Sequence, residues 1–65
     1  MTYVIEFYRN GRRMGTKPWA EDLPTAKVYA INYMSIHQAT HVAVIDDTTR
    51  QIIFSYPNGE NAEGR

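Results

Sequence analysis

His37 and His41 stand four residues apart, a spacing that on one helix would aim two imidazoles at a single metal ion. Here the spacing runs from the end of a helical pattern into a strand-like one, so the rings do not share a helical face. His37 reads instead as an imidazolium near a helix C-terminus, where unpaired carbonyls attract a cation. Asp46 and Asp47 could pass for a carboxylate pair. Adjacent residues at a strand–turn junction point apart, however, and aspartate is a common turn former. Ser35 and Ser55 have no base in their sequence context. Without cysteine, a glycine-rich phosphate loop or a coherent acid–base pair, the chain reads as a non-catalytic protein that needs no metal or cofactor.

Two binding surfaces remain. Arg9, Arg12, Arg13 and Lys17 cluster around one predicted hairpin with Tyr8 and Trp19, and Tyr3 stands near. Such a set can follow phosphates with its cations while its rings stack on bases. The same charges would also serve only to keep an edge strand from pairing with other chains. Lys and Arg number 7 and Asp and Glu number 7, a balance that removes the long-range attraction usual in nucleic-acid binders. The competing surface is a sheet face with no helix to cover it, described below.

The elements that would position these residues are legible along the chain. Positions 3–8 alternate β-branched and aromatic residues, and Asn10-Gly11 is the pair that best supplies a type I′ turn. A two-residue loop pairs Arg9 with Arg12, Tyr8 with Arg13, Phe7 with Met14 and Ile5 with Thr16. Tyr3, Ile5, Phe7 and Met14 then share the core face, and Val4, Glu6, Tyr8, Arg13, Lys17 and Trp19 the other. Pro18 marks the second strand as an edge.

Positions 22–38 form the single helical stretch, with Asp22 as N-cap, Leu23 as first helical residue and Pro24 where a missing N–H costs nothing. At roughly 100° per residue, Leu23, Ala26, Ala30, Tyr33, Met34 and His37 face inward, and Val28 and Ile36 outward. Strand-like runs over 41–45 and 51–56 flank a turn. With a three-residue loop over 47–49, Val42, Val44, Ile52, Phe54 and Tyr56 face the core, and Ala43, Ile45 and Ile53 face away. A one-residue slip would exchange the two sets.

These elements assemble as one ββαββ domain over 1–57, an α+β fold in which one helix packs on a four-stranded antiparallel sheet of order 2-1-3-4. Positions 58–65 read as a disordered polar tail. The start of the chain lacks a basic segment followed by an apolar one, and no apolar run approaches the roughly 20 residues of a membrane span, so a cytoplasmic protein is expected.

The run Tyr3-Val4-Ile5-Glu6-Phe7-Tyr8 with Asn10-Gly11, then Asp22-Leu23-Pro24-Thr25-Ala26-Lys27 with Ala30, then Val42-Ala43-Val44 and Asp46-Asp47, resembles small uncharacterised bacterial ββαββ proteins. That resemblance implies a fold and no activity. Tyr8-Arg9-Asn10-Gly11-Arg12-Arg13 followed by a helix with Ala26 is also similar to the arm-type DNA-binding domain of phage-like integrases, which has three strands and one helix.

The leading expectation is therefore a self-associating protein-interaction module. Its open sheet face would carry Val4, Tyr8, Trp19, Ile45 and Ile53, covered by a second copy or by another protein. The alternative is nucleic-acid binding through Tyr8, Arg9, Arg12, Arg13, Lys17 and Trp19.

Overall fold

The computed structural model describes residues 2–57 and 59–60. Strands β1 (Tyr3–Arg9) and β2 (Arg12–Trp19) form the first hairpin, α1 (Leu23–Asn32) follows, and β3 (His41–Asp46) and β4 (Ile52–Tyr56) form the second. One helix lies on an antiparallel sheet of order β2-β1-β3-β4, and the two-residue strand β5 (Gly59–Glu60) adds outside β4. Of the expected polar tail, Gly59 and Glu60 thus have paired backbone, opposite Ser55 and Phe54. Positions 58 and 61–65 lie outside the described residues.

The helix forms where its start signals stand. The Asp22 carboxylate accepts from the Thr25 amide at 3.2 Å and from the Thr25 hydroxyl at 2.6 Å. These donors hold its pKa below the ordinary carboxylate value. Ala26 and Ala30 are both fully buried, and their small size lets the helix approach β1 and β3 closely. Past Asn32 the helix does not run on evenly. The Met34 amide donates to the Ile31 carbonyl, a tighter turn, and the His37 amide then donates to Tyr33. The segment closes with the Ala39 amide on Met34 and the Gln38 amide on Ser35, while Gln38 takes a positive φ of 55°. That is the paired hydrogen-bond pattern by which helical turns commonly end in a left-handed residue.

The core is one layer between helix and sheet. Tyr3, Ile5 and Phe7 from β1, Val42 and Val44 from β3, and Phe54 from β4 meet Ala26 and Ala30. Leu23, Tyr29 and Met34 pack around it, while Val28 and Ile36 stay exposed as the helical periodicity requires. His37 does not act as the expected cap. Its ring stacks on Phe7 with centroids 4.3 Å apart and closes the core over Gly15.

Two bulges change the expected registers. The first hairpin has its type I′ turn, with φ of 54° at Asn10 and 84° at Gly11, and keeps Arg9 opposite Arg12 and Tyr8 opposite Arg13. Met14 is then the extra residue of a bulge, so Phe7 faces Gly15, Ile5 faces Lys17 and Tyr3 faces Trp19. Met14 leaves the core, where it was expected, and is 39% exposed. In the second hairpin Val44 faces Phe54 and Ile45 faces Ile52, leaving Ile53 as the extra residue. Ile53 consequently packs against the core and Ile52 turns outward, the reverse of the expected placement. The loop carries a left-handed residue at Arg50, φ 65°. Asp46 shapes it by accepting the Thr48 and Thr49 amides on one carboxylate oxygen.

Candidate functional site

Because side chains alternate along each strand, the register assigns every residue of the uncovered face to a row. The first row runs Pro18, Val4, Ile45, Ile52 across β2, β1, β3 and β4. The second runs Thr16, Glu6, Ala43, Ser55, and the third Arg13, Tyr8, His41. The first row is wholly apolar and has no helix over it. Ile52 is 53% exposed there, while Val4 and Ile45 are half-buried by their neighbours. Ala43 is nearly buried although it lies on this face.

The polar end of the face is internally bonded. The Tyr8 hydroxyl donates to one oxygen of Glu6, and the Arg13 guanidinium lies 3.4 Å from the other. The Glu6 hydrogen bond, with burial and the carboxylate charge, raises the Tyr8 pKa above the ordinary phenol value, against a smaller opposing pull from Arg13. His41 pairs its Nδ1 with the Thr40 hydroxyl at 3.0 Å. Tyr8, Glu6 and Arg13 thus bond to one another, which reduces the cost of covering this end of the face.

Of the residues expected on this face, Val4, Tyr8 and Ile45 lie there. Trp19 and Ile53 do not. The Trp19 indole donates to the Thr25 hydroxyl at 3.2 Å and its ring lies 4.8 Å from that of Tyr29, so it folds over the core beside the helix start. The cause is the bulge at Met14, which inverts the facing of every later residue of β2. A glycine inside a strand is a recognised bulge signal, and Gly15 was the clue in the sequence. Ile52 and Pro18, which belong to the face, were missed for the same reason on the two strands.

The bulge also divides the basic aromatic set. Tyr8, Arg9, Arg12 and Arg13 stay at the tip and outer face of the first hairpin. Lys17 goes with Trp19 to the helix side, its ammonium 5.7 Å from the Tyr29 ring centroid, and a stacked pair, Tyr29 and Tyr33, continues the aromatic series. A shallow depression at the tip is lined by Arg9, Asn10, Arg12, Arg13 and Met14. The tip is braced: Arg9 donates to the Gln38 side chain at 2.9 Å, and the Asn10 amide donates to the Thr40 hydroxyl at 3.1 Å.

His37 and His41 fall on opposite faces of the sheet, one on Phe7 and the other level with Tyr8. Among the described residues there is no group of three or more histidine, aspartate or glutamate side chains placed to hold a metal ion, and no helix long and apolar enough to cross a membrane. Comparison with protein-family models, curated proteins and solved structures returned no match to this chain.

Proposed function

We propose that this chain is a self-associating interaction module in which a second copy covers the open sheet face. The observation that carries the reading is the continuous row Pro18, Val4, Ile45, Ile52, apolar on all four strands and without a covering helix. Its extent suits the role. The row crosses four strands, which at about 4.8 Å between neighbours makes an apolar stripe about 14 Å across. Association by strand edges is disfavoured at β2, where Pro18 lacks an N–H, Met14 bulges and Arg12, Arg13 and Lys17 add charge.

A second copy also fits the pattern of rows. A two-fold axis running along the strands between β1 and β3 sets Val4 over Ile45 of the other copy, Pro18 over Ile52, Glu6 over Ala43 and Tyr8 over His41. In the first row apolar meets apolar, and Arg13 is kept away from its own equivalent. Sheets stack in this way at about 10 Å. The test is a dilution series followed by amide shifts: Val4, Glu6, Ala43, Ile45 and Ile52 should move together, and Ala26 and Ala30 should not. Shifts confined to the helix side, or none over a wide concentration range, would overturn the reading.

A further inference from the structure

We propose that the tip of the first hairpin is a site for the phosphodiester backbone of nucleic acid, built from Arg9, Arg12 and Arg13. Zero formal net charge argues against this only if acidic groups crowd the tip, and the fold holds four of them at the opposite end. Glu21 and Asp22 follow the far end of β2, and Asp46 and Asp47 stand at the far end of β3, beside Tyr3. Arg50 lies with them, 3.1 Å from Asp47. At the other end stand Arg9, Arg12 and Arg13, and among the described residues the nearest carboxylate along these strands is Glu6, held by Tyr8 and Arg13.

The two ends are separated by the length of β1, which has 7 residues and so spans about 20 Å. Screening at physiological salt acts over about 8 Å. A phosphate at the tip therefore meets Arg9 and Arg12 outside the reach of the far-end carboxylates, and of the described residues along these strands only Glu6, beside Arg13, stands nearer. The depression between them is lined by no acidic side chain. Arg12 has no hydrogen bond or ion pair among the described residues, and the Arg13 side chain is 60% exposed beside its long contact with Glu6. Arg9 keeps donors to spare, since a guanidinium has five N–H groups and Gln38 takes one. Lys17 and Trp19, turned to the helix side, are no part of the site.

The site does not depend on pairing of the open faces, and its test reads a different quantity. Fluorescence anisotropy of a labelled mixed-sequence 20-base-pair duplex, and of one of its single strands, is followed with rising protein from 50 to 200 mM salt. Engagement of three phosphates predicts a duplex affinity that falls about 40-fold over that range, and less steeply for the single strand. Arg12→Ala should reduce the fall to about 12-fold, while Lys17→Ala leaves it unchanged. A fall near the square of the first value would mark two tips on one duplex and equally supports the site. Absence of binding at 50 mM salt overturns the proposal. So does binding whose salt dependence is unmoved by Arg9→Ala and Arg12→Ala, both exposed positions whose variants should keep the parent's far-ultraviolet spectrum.

Discussion

The two faces of the sheet are built from the same strands and differ in what completes them. On the helix side, Ile5, Phe7, Val42 and Val44 are almost wholly removed from water by Ala26, Ala30 and the rings around them. On the other side, Val4 and Ile45 are only partly covered and Ile52 is 53% exposed, although they are as apolar. The difference teaches that apolar strand residues alone do not make a core here; a small-residue helix and the ring of His37 do. The first row of the open face has the side chains of an interior and lacks the second layer.

Breaking the covered face should have the largest consequence. Phe7→Ala removes a fully enclosed ring and the surface on which His37 stacks, a loss of about 3–5 kcal/mol. A chain of this length commonly has only roughly 3–10 kcal/mol in all, so chemical denaturation should show the variant's midpoint moved far toward zero denaturant. Ala30→Phe probes the same layer from the helix, where overpacking costs about 1–3 kcal/mol. A variant that melts with the parent would mean that helix and sheet are not in close contact at Ala30.

Trp19 sharpens the comparison, because it is the residue the bulge moves from one face to the other. Placed beside Tyr29 and bonded to Thr25, it should contribute to folding: Trp19→Ala is expected to lower stability by about 2 kcal/mol. Its sedimentation mass at matched concentration should stay that of the parent. A change in mass with no change in melting temperature would return the indole to the open face.

The smallest effects lie at the polar margins of the faces and appear as pH dependence. The folded pKa of Asp22 is depressed by the Thr25 donors, so its contribution is present above the ordinary carboxylate value and fades as pH falls through the folded value. Thermal melts should lose stability below about pH 4, and Asp22→Ala should flatten that limb. Tyr8 has the opposite sign. Its folded pKa is raised, so the stability it lends is intact in neutral solution and declines as pH climbs past about 10, an alkaline limb that Tyr8→Phe should remove.

Local signals in the sequence were read correctly at the first turn and the helix start, though not at His37, where stacking on Phe7 replaced the expected cap. Asn10-Gly11 made the type I′ turn, Asp22 and Pro24 opened the helix at Leu23, and Ala26 and Ala30 marked its inner face. The strand order followed from chain connectivity. The bulges were not legible to the same degree, because an extra residue is tolerated or refused by the packing of both strands at once. Met14-Gly15 carried a hint, and Ile52-Ile53 carried none, since two isoleucines suit either face equally. The candidate surfaces inherited those errors. Val4, Tyr8 and Ile45 were placed correctly because β1 and β3 carry no extra residue, whereas Trp19, Lys17 and Ile53, on the bulged strands, were misplaced by one residue of register. Separation of charge between the two ends was hidden by a composition that sums to zero.

The most direct test of the open face as a self-association surface is sedimentation equilibrium of the parent chain and Ile45→Glu at matched concentrations. Ile45 lies in the apolar row and outside the core cluster, so the variant should stay folded by circular dichroism. The account predicts a parent that approaches twice the monomer mass as concentration rises, and a variant that remains at the monomer mass throughout. A parent that stays monomeric at the highest concentration, or a variant that associates as the parent does, would contradict it.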